Sequence, residues 1–421
     1  MPLGIASDVA FPKTTCKYSI LRVEWQPPVD QRTMSRTQNQ ARPRPVALAL
    51  VVTVAAAAMV TLWGRFAPPA AAAEPHAFVH PGGVVGQAEL DFVRERIAAG
   101  EEPWMSSLGK LRGLAVEGRF DAAPTGEADQ KEHARQAYAN ALVWATTGDE
   151  PAARRAIAIL NVWGKTFAGY EPAEGQNLLV AGWIGALLGP AAELLRDHPD
   201  WKPVDRARMK RMFTTAFVPA LERMSPWNGN VDLTQIDALM NIAVFCEDEK
   251  LLTLGVERLR RRSPAYFHLA SDAEAARAIE GDGGDVAAFW SQPATWPDGL
   301  TQESCRDNGH HAQYALASAL HAAEVAWHQG IDLYAEQRER SVAALELLAH
   351  QLLERSMLGC CGADRDIATG DLYDTFAVGY HHYHHRLGID LPYTERLLRE
   401  EIRRRGQSDW NIFFETFTHG R

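Results

Sequence analysis

The chain has 421 residues, of which 46% are hydrophobic and 23% charged, and its formal net charge is −10. These proportions belong to a folded globular protein and exclude a disordered chain, a collagen-like fibre and a multi-span membrane protein. The acidic balance argues against a general nucleic-acid binder, which needs a basic surface to displace counterions.

The first element in chain order is a targeting segment. Residues 46–63, VALALVVTVAAAAMVTLW, form an uncharged apolar run. Arg36, Arg42 and Arg44 stand before it, and Ala71, Ala72, Ala73 and Glu74 follow it. A positive start, an apolar middle and a small-residue exit are the three parts of a secretory signal; the run is also long enough for an uncleaved anchor. The first 33 residues fit no part of a signal, so translation is expected to start at Met34. Residues 1–73 carry eight Lys/Arg and three Asp/Glu, so residues 74–421 have a formal charge of −15. An anionic substrate must then be held by local cationic groups, not by bulk charge. Five cysteines without a Cys-x-x-Cys pair predict neither a zinc ribbon nor a disulfide scaffold.

From residue 88 onward, helical apolar spacing dominates. It predicts helices over 88–99, 129–147, 151–168, 177–197, 203–223, 230–247, 249–262, 303–328, 331–356 and 393–405. Breakers fall between them at Gly100, Gly148-Asp149, Gly169, Pro199 and Gly330. No convincing strand alternation occurs. Short gaps between long helices imply antiparallel hairpins. An all-α fold follows, an incomplete (α/α) toroid or barrel of antiparallel helical hairpins forming one domain over 74–421. A solenoid that stays open is the competing architecture. Two long irregular stretches, 281–301 and 359–376, are expected to be functional loops, the first ordered by Trp290 and Trp296.

The predicted helix 303–328 carries an uncommon polar stripe. At 100° per residue Arg306, His310 and Tyr314 share one arc, followed by His321, Glu324 and His328 down the same face. Solvated faces are usually rich in Lys, Glu, Gln and Asp; these side chains are the types that move protons and bind carboxylates. The spaced histidines also suit a metal, but no third and fourth ligand is evident. Further along, residues 379–394, GYHHYHHRLGIDLPYT, hold Tyr380, His381, His382, Tyr383, His384 and His385. On a helix these point in different directions, so one or two are expected to face a cleft. Asn228 and Asn230 open the helix 230–247, and Asn177 opens 177–197 with Trp183 nearly two turns on. Asparagine at a helix start caps it or donates hydrogen bonds to a substrate carboxylate.

Taken in order, several stretches resemble the alginate lyase family of polysaccharide lyases. They are His80-Pro81-Gly82 with Pro103-Trp104, the Asn228/Asn230 helix start, Glu303-Ser304-Cys305-Arg306-Asp307-Asn308-Gly309-His310, and Tyr380-His381-His382-Tyr383 followed by Arg386-Leu387-Gly388, Leu391-Pro392 and Thr394. The resemblance implies an α/α toroid, export to the periplasm or beyond, no metal or other cofactor in the chemistry, and β-elimination of uronic-acid polymers. Such an enzyme neutralises the carboxylate beside C5 with hydrogen-bond donors. A base removes the C5 proton and an acid protonates the leaving O4. Arg306 matches the family arginine and Asn230 or Asn228 the asparagine; a Tyr and a His share the proton transfers. Relatives often carry His directly beside that asparagine, whereas Val231 follows Asn230 here. His310, His311 and Tyr314 therefore all stand as candidates. Asn177, Trp183, Tyr380, His381 and Tyr383 complete the expected substrate contacts.

The expected partner is an anionic uronate polysaccharide, met by a monomer that binds no nucleic acid and leaves the membrane once its signal is cut. Two other functions compete. A glycoside hydrolase on the same scaffold needs a carboxylate pair, for which Asp298, Glu303 and Asp307 are available. A non-catalytic protein would stack sugar rings on its tryptophans.

Overall fold

A computed structural model describes residues 76–115, 121–272, 277–283, 285–408, 412 and 414–421. The chain divides into Met1–Ala73 and Glu74–Arg421. The expected signal and the start at Met34 lie outside the described residues. Among those described there is no strand, only three isolated bridges.

The helices follow the apolar periodicity. They are α1 (Gln87–Ala98), α2 (Trp104–Leu114), α3 (Glu127–Thr147), α4 (Glu150–Thr166), α5 (Gln176–Leu194), α6 (Pro203–Met212), α7 (Gly229–Cys246) and α8 (Glu249–Arg262), then α9 (Ser304–Asp307), α10 (His310–His328), α11 (Arg338–Glu354), α12 (Ala377–Tyr380), α13 (Pro392–Leu397) and α14 (Phe414–His419). Starts carry the expected chemistry: Asp149 and Asp248 accept backbone N–H groups at the head of α4 and α8, relieving donors that the helix itself leaves unpaired. Helices α6, α12 and α13 each run into a π-helical turn, at Phe213–Phe217, His381–Arg386 and Leu398–Ile402.

Helices α3, α5, α7 and α10 pack side by side in succession, while α4 and α8 back α3 and α7 as the return arms of hairpins and α6 packs on α4. The tightest pairing is α5 on α7, and its cause is visible in sequence. Gly182, Gly185 and Gly189 line one stripe of α5. A Cβ on them would meet Thr234 Cγ2 at 2.9 Å, Ala238 Cβ at 2.8 Å and Asn241 Cβ at 3.0 Å, closer than real side chains pack. The ring does not stay open: α10 leads through α12 to α14, and α14 packs on α1 and α2. That closure decides for the toroid over the open solenoid.

Two expectations need correction. The helix predicted over 303–328 is broken: Asn308 and Gly309 take φ of 59° and 91°, so α9 ends and α10 starts afresh. The single arc drawn through Arg306, His310 and Tyr314 therefore holds only for the last two. Cysteine is also put to structural use, because Cys305 and Cys361 form one disulfide.

Candidate active site

Three stretches meet at the site: the start of α7, the turn through α9, and the loop leading to Tyr373. Gly229 begins α7 because a Cβ there would strike the Tyr266 ring. Its N–H donates to Gln302 Oε1 at 3.0 Å. Phe267 and Thr301 form a bridge, and Gln302 N–H donates to the Tyr266 carbonyl at 2.8 Å. These contacts bring Tyr266 and the α7 start against Glu303.

Glu303 is fully buried. It accepts from Asn230 N–H at 3.1 Å, Asn230 Nδ2 at 2.7 Å, the Tyr266 hydroxyl at 2.8 Å, and Arg306 Nη1. Burial, and after it the Glu303 carboxylate, hold the Tyr266 phenol well above its ordinary pKa, so it remains a donor. The second hydrogen of the Asn230 amide goes to Asn228 Oδ1 at 2.9 Å. Both are thus committed inside the protein, which corrects the expectation that Asn230 itself neutralises a substrate carboxylate. The outward-facing donors are Asn228, half-buried, and Arg306, whose side chain is 40% exposed. Asn228 precedes α7 but makes no side-chain cap.

Beside these donors stand two proton-carrying pairs. His311 Nδ1 is hydrogen-bonded to Asp307, which also accepts the His311 N–H at 3.3 Å. Burial works to raise the Asp307 carboxyl, yet the His311 hydrogen bond and charge outweigh it and hold the group below its ordinary range. The second pair is His310 and Tyr373, with Nδ1 and the hydroxyl 3.0 Å apart. The His310 ring meets the edges of His311, Tyr314 and Tyr373 at centroid distances of 5.0, 5.6 and 5.3 Å. Tyr314 lies against Tyr373 at 4.4 Å, and Trp183 packs against this pair.

Tyr373 was missed in the sequence because it is 63 positions from its partner His310. The loop that delivers it is laced to α9 and α10. Cys361 is bonded to Cys305, Thr369 N–H donates to the Asn308 carbonyl at 2.7 Å, and Gln313 holds the Asp371 carbonyl at 3.1 Å and the Tyr373 N–H at 3.3 Å.

The structure thus gathers Arg306, His310, His311, Tyr314, Trp183, Asn228 and Asn230. Of the four other candidates, three are turned into the core. Asn177, in the first turn of α5, donates to the Pro172 carbonyl at 2.9 Å in the loop before it. Tyr383 is fully buried and donates to the Tyr334 carbonyl at 3.1 Å, so it cannot touch a polymer. His381 is buried near Glu89 and His419; burial, then the neighbouring positive charges, push its pKa down to about 2. Tyr380 stacks on His384 at 4.7 Å, and burial pushes its phenol up to about 12. These three pack the core because their helical face turns inward.

The three carboxylates named for the hydrolase reading each have partners inside the protein. Glu303 has all its acceptor sites taken, Asp307 is paired with His311, and Asp298 accepts the Ala270 N–H. Among the described residues, two groups of side chains have metal-ligand spacing, Glu89–Glu324–His328 and Glu150–His198–Asp200. In the first, the Arg386 guanidinium already binds both carboxylates, at 3.0 and 2.6 Å. In the second, His198 Nδ1 accepts the Asp200 N–H at 3.1 Å, so Nε2 carries the ring proton toward Glu150 and no lone pair is left for a metal.

The succession of hairpins and the closed ring define an α/α-toroid fold of the kind found in polysaccharide lyases. Solved structures similar to it include those of alginate lyase A1-III. The enzyme from Sphingomonas species A1 matches with a TM-score of 0.53 and 15% identity, over 77% of this chain and 93% of that one. Its variants with a histidine replaced by alanine, or a tyrosine by phenylalanine, were each solved with a tetrasaccharide. They match at 0.53 and 16%, over 76% and 92% of the two chains. At such identity the likeness establishes the fold. No family model matches the chain, and no curated protein matches its sequence.

Proposed function

We propose that this protein is a polysaccharide lyase that cleaves a uronic-acid polymer of the alginate type by β-elimination. The observation that carries the reading is the juxtaposition at the head of α10: fixed donors for a carboxylate beside two histidine pairs that can take up and deliver a proton. Arg306 and the Asn228 amide hold the substrate carboxylate and stabilise the charge that develops as the C5 proton leaves. His311, with Nδ1 tied to Asp307, presents Nε2 as the base. The Tyr373 hydroxyl protonates the leaving O4. His310, donating from Nδ1 to the phenolic oxygen, frees that proton and stabilises the phenolate left behind. Trp183 and Tyr314 back the Tyr373 ring. The tetrasaccharide complexes of the similar enzyme support a saccharide ligand.

The enzyme is exported and acts as a monomer on an anionic polysaccharide, with neither nucleic acid nor a lasting membrane contact. The signal-like segment supports export, and so does the disulfide, because such bonds persist in oxidising compartments.

The test is product analysis on polymannuronate, polyguluronate and polyglucuronate. A lyase generates a ring double bond with ultraviolet absorbance. New reducing ends without that absorbance, or binding without cleavage, would overturn the proposal.

A further inference from the structure

We propose that Glu303 is the positioning residue of this site: one buried carboxylate sets the direction of both carboxylate-binding donors, Arg306 directly and Asn228 through Asn230. The inference rests on the lyase reading for its kinetic consequence, though not for its structural one.

The geometry is that of a junction. A carboxylate has about four lone-pair positions, and four donors from three elements fill them. Oε1 takes Asn230 Nδ2 and Arg306 Nη1; Oε2 takes the Asn230 N–H and the Tyr266 hydroxyl. A buried charge is tolerated only when it is paired and fully hydrogen-bonded, and Glu303 meets that condition only while every partner stays in place. The demand runs both ways. Arg306 has five N–H donors, of which Glu303 takes one from Nη1. The guanidinium is pinned on its inner edge while 40% of the side chain stays exposed. Asn230 gives one amide hydrogen to Glu303 and the other to Asn228 Oδ1. That bond orients the Asn228 amide with its NH2 group turned away from Asn230, where it makes no hydrogen bond among the described residues. Glu303 also balances the Arg306 charge, so the site recognises a carboxylate by donor direction more than by net charge. Tyr266, fully buried, is the remaining anchor.

Glu303→Gln keeps the shape but turns one acceptor oxygen into a donor, which must face a donor already present. In the full chain it should lower kcat about 100-fold or more, the scale of losing one transition-state donor, with KM changed less than about threefold. Crystal structures of the wild type and the variant should show the Arg306 guanidinium and the Asn230 amide displaced. Guanidinium ion should restore part of the activity of Arg306→Ala, and none of the activity of Arg306→Ala combined with Glu303→Gln, because the carboxylate is what seats the ion. Rescue of the double variant, or Arg306 and Asn230 unmoved in Glu303→Gln, would overturn the proposal. Should Glu303→Gln fail to fold, Tyr266→Phe removes one anchor from the buried side. It should cost several-fold in kcat at unchanged KM, and unchanged kcat would overturn the proposal. A wild type inactive on every uronate polymer sinks the lyase reading alone; the positions of Arg306 and Asn230 in the variant crystals still decide the role of Glu303.

Discussion

At the scale of single residues, the question is which hydroxyl carries the proton to O4. Tyr314 and Tyr373 are both nearly buried, at 5% and 6% exposure, and their rings touch, so burial does not separate them. Tyr373 is chosen because its hydroxyl is paired with the His310 Nδ1 of the proton-carrying cluster. General acid catalysis contributes on the order of 100- to 10,000-fold. Tyr373→Phe should therefore lose at least about 100-fold in kcat at an unchanged melting temperature, while Tyr314→Phe keeps turnover within a few-fold. The opposite pattern, in steady-state rates on a uronate polymer, would give the proton to Tyr314. The local part of this site was legible in the sequence. Arg306, His310, His311 and Tyr314 stand within nine positions, and their residue types are unusual for a solvated helical face. Tyr373 and Tyr266 were not legible, because ordinary tyrosines in loops gain meaning only from distant partners. His381 and Tyr383 were misread for the converse reason: residue type suggested chemistry, and only the direction of their helical face shows that they belong to the core.

At the scale of elements, the turn between α9 and α10 organises the site. Asn308-Gly309 is a turn signal inside an otherwise helical pattern, and the left-handed pair uncouples Arg306 from the α10 face. The long helices were readable because each buries a continuous stripe. Trp104–Leu114 and Phe414–His419 were not, and the six residues of the latter are too few to show a period. The pairing of Cys305 with Cys361 was equally hidden, since spacing does not give connectivity. This bridge spans a sequence separation of 56 residues, which corresponds to about 4 kcal/mol of unfolded-state constraint. It ties the turn bearing Glu303 and Arg306 to the loop bearing Tyr373. Replacing Cys305 and Cys361 together by Ser should therefore lower the melting temperature markedly. It should also reduce kcat at temperatures where the variant is still folded. A reductant should produce the same shift in the wild type and none in the variant. Equal melting of the two proteins would show that the loop is held by its hydrogen bonds alone.

At the scale of the molecule, ion pairs buried between helices help close the ring. Asp232 on α7 binds Arg258 and Arg262 of α8, and Arg262 reaches on to Asp282. Glu89 of α1 and Glu324 of α10 share Arg386. His321 of α10 lies between Asp237 of α7, at 3.1 Å, and Glu415 of α14, at 2.8 Å, and so links the middle of the hairpin series to the helix that completes the circle. Burial alone would lower the His321 pKa, but the two carboxylates outweigh it and raise it from 6.5 to about 10. The sign of the linkage follows. The folded state holds this proton more tightly than the unfolded chain, so the stabilisation is complete below pH 6.5 and is lost as the pH rises through about 10. Denaturant unfolding of the wild type should show stability falling steadily over that alkaline window. His321→Gln leaves two buried carboxylates without their cation, a loss on the order of 3–5 kcal/mol at neutral pH. The difference between the two proteins should be largest near pH 6.5 and shrink toward about pH 10. A gap that stays constant with pH would mean that His321 acts through neutral hydrogen bonds, and that the ring is closed by packing without this charge.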